Sequence, residues 1–211
     1  MKYLKLKQAV LGLFITSAFG ACSTSEDAKP TPSIVTQTVT NLPADPTMNI
    51  STGQPQAPTG KFTLFSLKDN KIVSNLDSAS TKWDIGFRGT TIIVNGGAVR
   101  TGQGGAAIAT GLFEEIKNIA VNQVFNTDQS ATALAIPTGS GLGWYNYNPA
   151  NNWISPIAGK ILLIRTAEGK FAKVEILSYY KDAPTTPSPT ATARYFTFRY
   201  VYQANGTKKF E

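Results

Sequence analysis

Trp144, Tyr145, Tyr147 and Trp153 fall within ten residues of one another, in the stretch "GWYNYNPANNW". Aromatic side chains at this density, outside any regular pattern, suit planar or apolar ligands, sugars or a protein partner. A tyrosine can also ligate haem iron. The same rings could equally fill a core or cover a sheet. Catalysis has less to work with. The chain has no histidine, which excludes Ser-His-Asp and Cys-His arrangements and removes the commonest general base and metal ligand. Glu114 and Glu115 are neighbours whose side chains diverge, and they read as the solvated start of a short element. Asp84 alternates with Trp83 and is expected to face water or a loop. No carboxylate pair of the kind a glycosidase uses stands out. The glycines of "RTGQGGAA" lack the Lys-Ser/Thr of a phosphate loop and the spacing of a dinucleotide site, and read as a flexible surface loop. These residues point to a binding protein, not an enzyme.

The one cysteine, Cys22, cannot form an internal disulfide. Lys2, Lys5 and Lys7 precede it, followed by the apolar run "VLGLFITSAFGA". That is the layout of a secretory signal, and the run is short for a membrane span of about 20 apolar residues. Gly20, Ala21 and Cys22 resemble a bacterial lipobox, with Phe19 where leucine is usual. The resemblance implies that Cys22 is lipidated and becomes the N-terminus, so the protein is anchored without spanning. "CSTSED" is similar to the acidic tag behind the cysteine of some Gram-negative surface lipoproteins. The expected organisation is a lipoprotein signal over 1–21, a lipidated tether over 22–32 and one domain over 33–211. Loss of the three signal lysines takes the formal charge from +7 to +4. The remaining basic residues are scattered, which argues against nucleic acid.

The elements that must position these residues read as strands. Residues 34–42 are threonine-rich and β-prone, with Val35, Gln37 and Val39 alternating before Pro43. "KFTLFSLKDNKIVS" reads as a hairpin turning at Lys68 to Asn70. Trp83, Ile85 and Phe87 alternate with Lys82, Asp84 and Arg88, so the three are expected to share a buried face. "GKILLIRTAEGKFAKVEILSYY" reads as two strands joined at Glu168-Gly169. Phe196, Phe198, Tyr200 and Tyr202 share one face of a last strand. "TGLFEEIKNIA" is the best helical candidate, with Leu112, Ile116 and Ile119 at helical spacing. Residues 133–156 read as a long loop. The expected fold is all-β, mostly antiparallel hairpins, with at most one or two short helices.

Four separated blocks carry a family resemblance: "TVTNLPADP", "WDIGFRGTTIIVNGG", "GKILLIRTAEGKFAKVEILSYY" and "ARYFTFRYVYQANGTKKF". In this order they resemble the HmuY family of Gram-negative lipoproteins. The resemblance implies an all-β fold with a haem pocket, tethered to the outer membrane and facing outward. It also implies a haemophore role, taking haem from host haemoproteins and passing it to a TonB-dependent receptor. The founding member holds haem iron between two histidines, and some relatives are thought to use methionines. Neither pair is available here, since histidine is absent and Met48 is the only methionine after Met1. Met48 alone, a tyrosine such as Tyr145 or Tyr147, a lysine, or no axial ligand remain. Tyr145 and Tyr147 lie two apart, so extended backbone would aim them the same way, with Trp144 or Trp153 packing on the porphyrin. The alternative is the same fold binding a glycan or a partner protein of an outer-membrane uptake complex, without haem.

Overall fold

Period-two alternation writes the central sheet. In β10 (Phe171–Tyr180) Ala172, Val174 and Ile176 point inward, and in β11 (Ala193–Gln203) Phe196, Phe198 and Tyr200 do the same. The computed structural model describes residues 34–49 and 51–211. Cys22, the lipobox and the tether lie outside the described residues. Strands β1 (Thr36–Pro43), β6 (Gly105–Thr110) and β9 (Lys160–Arg165) complete a five-stranded antiparallel sheet in the order β1-β11-β10-β9-β6. Strands β2 (Thr63–Ser66), β3 (Lys71–Val73), β4 (Ile85–Arg88) and β5 (Thr91–Val94) form a second sheet in the order β3-β2-β4-β5. The expected hairpins at Lys68–Asn70 and Glu168-Gly169 are the β2–β3 and β9–β10 turns.

The two sheets face each other across one aromatic core. Phe65 meets Phe198 edge-on at 5.5 Å, and Phe87 stacks on Phe198 at 5.4 Å and tilts against Phe196 at 4.8 Å. Burying a side chain of this size contributes roughly 1.5–3 kcal/mol, so this face dominates stability. The outer face of the five-stranded sheet is also covered. Ile161, Leu163 and Val201 lie under Phe113, Ile119 and Phe210. Coverage on both faces explains why β9 reads as the unbroken apolar run "ILLI".

The covering segment corrects an expectation. Thr110 closes β6, and residues 111–120 form turns and a bridge, not a helix. Their carbonyls are taken by distant donors: the buried Lys173 ammonium donates to Phe113 O (2.6 Å) and Ile116 O (2.9 Å), and Phe210 N donates to Lys117 O (2.8 Å). A helix would need those acceptors for its own amides. The described helical structure is one 3₁₀ turn, Asn75–Asp77.

Three further expectations change. Trp83 does not share a face with Ile85 and Phe87. The chain bends at Asp84, ahead of β4, and Trp83 packs with Leu64, Val73 and Ile93 on the other side of the second sheet. Asp84 is buried, not solvated. The glycine run is no loose loop. A Cβ on Gly104 would collide with the main-chain oxygen of Asn95, so the glycines let the 95–97 turn and the start of β6 approach closely.

Candidate functional site

The stretch expected as a loop contains a ribbon, β7 (Tyr145–Asn148) paired with β8 (Trp153–Pro156). Its turn is made by residues 149–152, with Asn152 in the left-handed region at φ 54. Trp144 enters the ribbon from the core. It is 2% exposed, tilts against Tyr145 (4.9 Å), Phe196 (5.0 Å) and Tyr179 (5.9 Å), and donates its Nε1–H to Thr90 O at 2.9 Å. Tyr145 is almost fully buried beside it. Two residues on, the ribbon has left the core and Tyr147 is 43% exposed. Its phenol donates to Asn152 Oδ1 at 2.5 Å, and its main-chain N–H donates to Ser140 Oγ at 2.8 Å. Trp153 is half-buried and stacks face to face on Tyr180, 3.7 Å between centroids and 8° between planes.

Tyr179 and Tyr180 have no counterpart among the residues that sequence reasoning singled out. Both face the main core, although alternation would separate them. The cause is a bulge in β10 around Ser178, where the register to β11 shifts and Ser178 Oγ accepts the Tyr180 amide at 3.0 Å. Tyr180 then anchors the ribbon twice, by stacking on Trp153 and by accepting the Ile154 amide at 3.0 Å on its phenol oxygen. Burial pushes the Tyr179 phenol up to about 12, against the nearby positive charge of Arg194. Tyr179 is therefore neutral at neutral pH. The paired tyrosines at the end of a strand were the available signal.

Structure thus gathers Trp144, Tyr145 and Trp153 with Tyr179 and Tyr180, and leaves the Tyr147 phenol at the surface. Met48 is part-exposed in a bridge with Pro55. Among the described residues no group of three or more His, Cys, Asp or Glu could hold a metal ion.

Two of the cavities that flank the sheets hold ionisable groups of interest, and the four aromatic residues line neither. One, about 470 Å³, lies between Asp45, Arg88, Thr90, Tyr179 and Arg194. The other, about 430 Å³, lies between the β2–β3 and β9–β10 turns, and Asp84, Glu168 and Tyr202 line it. Asp84 is 4% exposed and accepts the amides of Leu67 (2.8 Å) and Ala167 (3.0 Å). Burial pushes its carboxyl up to about 6; the two amides oppose that, and Glu168 and Asp69 add to it. The folded chain therefore takes up this proton before the unfolded chain does. The resulting stability is full below about pH 4 and lost as pH rises through about 6. A displacement of this size corresponds to about 3 kcal/mol. Urea melts of wild type and Asp84→Asn should therefore diverge as the pH is raised from about 4 to about 7, wild type losing ground. A constant difference would show that Asp84 titrates as an ordinary carboxylate.

The family model for the HmuY protein matches residues 59–200, two thirds of the chain. The chain belongs to the HmuY family. The match runs from β2 to most of β11 and includes the β7–β8 ribbon. A candidate lipoprotein from Bacteroides fragilis has a similar fold, with a TM-score of 0.51 and 17% identity over 80% of this chain and 91% of that one. A candidate HmuY-like haem-binding protein from Bacteroides vulgatus gives 0.45 and 16%, over 67% and 85%. The apo HmuY analogue of Tannerella forsythia gives 0.45 and 15%, over 84% and 99%. A search of curated protein sequences finds no match. At 17% identity the likeness to the Bacteroides fragilis protein is one of fold alone.

Proposed function

We propose that this HmuY-family protein is a surface lipoprotein that binds haem or a related porphyrin for uptake, without catalysis. Lipid on Cys22 would hold it to the outer membrane, facing outward, where it would receive haem from host haemoproteins and pass it to a TonB-dependent receptor. Family membership supports the ligand class. The observation that carries the site is the exposed Tyr147 phenol. It spends its proton on Asn152 and has no donor of its own among the described residues, so its lone pairs are free. Ferric iron stabilises a phenolate, because a bound cation inverts the local proton balance. Rotation of the Asn152 amide would then present its NH₂ to the oxygen that has lost its proton. Trp153, held flat by Tyr180, offers a planar edge directly after that asparagine and opposite Asn148 in the ribbon. Tyr145 lies too deep to reach a ligand without movement and would support the ring packing.

Titrating haemin into the purified chain tests this reading. A shifted Soret band is expected, with a ferric spectrum that changes and an affinity that falls in Tyr147→Phe and less so in Tyr145→Phe. An unchanged spectrum and affinity in the double variant would remove tyrosinate ligation by the ribbon. No Soret change at all would favour the glycan or partner-protein reading.

A further inference from the structure

Haem presents two propionate carboxylates besides its iron, and a protein that binds it must solvate or pair them. The cavity of about 470 Å³ holds two arginines from different elements, Arg88 at the end of β4 and Arg194 at the start of β11. Among the described residues neither is in a direct ion pair, although the Arg194 charge helps to hold the Asp45 carboxyl below its ordinary range. Each instead spends one N–H on a neutral main-chain oxygen: Arg88 Nη1 on Gly60 O at 2.8 Å, and Arg194 Nη1 on Asp45 O at 2.9 Å. The carboxylate in the same cavity, Asp45, is already occupied. It accepts the Thr59 amide (2.7 Å), the Thr59 hydroxyl (2.8 Å) and the Gly60 amide (2.9 Å). Arg194 also meets the Tyr179 phenol and Arg88 lies over the Phe62 ring, 4.3 Å from its centroid; the remaining N–H donors of the two forks have no protein acceptor among the described residues, and such forks match carboxylates in geometry as well as charge.

Two more observations bear on this place. Arg194 sits at φ 67, a left-handed conformation that a long L side chain adopts at a cost. Backbone strain of this kind concentrates at ligand clamps. The cavity also shares a wall with the aromatic cluster: Tyr179 lines it and packs on Trp144, and Thr90, which lines it too, accepts the Trp144 indole N–H.

We propose that this cavity is a carboxylate seat, in which Arg88 and Arg194 take the propionates of the bound tetrapyrrole. The proposal rests on the haem reading above. Its test compares haemin with haemin dimethyl ester, which keeps the ring and iron and loses both charges. The full chain should bind haemin at least about tenfold more tightly than the ester, the size of one charge-assisted hydrogen bond. Arg88→Gln with Arg194→Gln should erase that preference by weakening haemin alone, while Arg194→Lys keeps part of it. Retained ester binding in the double variant shows that the fold is intact. Equal affinity of wild type for haemin and ester, or equal loss of both in the double variant, would overturn the seat and leave haem binding standing. No Soret change with either compound would overturn the haem reading and the seat with it.

Discussion

Trp144→Ala should lower the unfolding free energy by about 3–5 kcal/mol, as large-to-small changes of buried aromatics do. Trp144 is 2% exposed and touches three aromatic rings across the core and the ribbon. The substitution leaves a cavity walled by Tyr145, Tyr179 and Phe196, which are fixed by their own strands and cannot collapse into it. It also leaves Thr90 O without its indole donor. Trp153→Ala serves as the control, because Trp153 is half-buried and its main contact is the single stack on Tyr180. That variant should lose roughly 1 kcal/mol, within the range of an aromatic pair. Denaturant melts of the two variants separate a core tryptophan from a surface one. Equal losses would mean that the ribbon detaches from the core as readily as it folds onto it.

Asp128→Ala should cost a similar amount, about 3–5 kcal/mol, because it breaks a buried charge pair on one side only. Asp128 is fully buried and accepts the Val94 amide (3.1 Å), the Ala135 amide (2.7 Å) and Arg100 Nη1 (2.5 Å). Burial raises its carboxyl above the ordinary range, with the two amides and Arg100 opposing. Its main-chain oxygen also receives the Ala98 amide at 3.0 Å. One residue thus ties the end of β5, the glycine turn and the 128–135 segment together. Removing Arg100 as well should cost less than the sum of the two single changes, by at least about 1 kcal/mol, since each is the other's partner. Strict additivity in a double-mutant cycle, or a loss below about 1 kcal/mol for Asp128→Ala, would show that the pair is solvated in solution.

Where local chemistry decides, the sequence was legible. The β2–β3 and β9–β10 hairpins and the inward rows of β10 and β11 follow from alternation and turn residues within a few positions of each other. Alternation misled where a bend or a bulge interrupts it. Trp83 crosses to the other face at the Asp84 bend, and Tyr179 joins Tyr180 in the core at the Ser178 bulge. The aromatic stretch was legible as unusual, but not as a ribbon, because Trp153 and Tyr180 stack across 27 positions of chain.

By itself the sequence determined an all-β antiparallel fold, the absence of histidine ligation and the concentration of aromatics at residues 144–153. These depend on composition and on period-two patterning, which a single strand already carries. Only the tertiary structure decided which of those aromatics are core and which reach the surface. It alone decided that 110–120 is not a helix, because Lys173 captures the Phe113 carbonyl from 60 positions away and the Ile116 carbonyl from 57. It also brought Arg88 and Arg194 to one cavity. Their separation in the chain conceals that meeting, and neither residue's immediate neighbours signal it, because the contact exists only once both sheets have closed on their shared core.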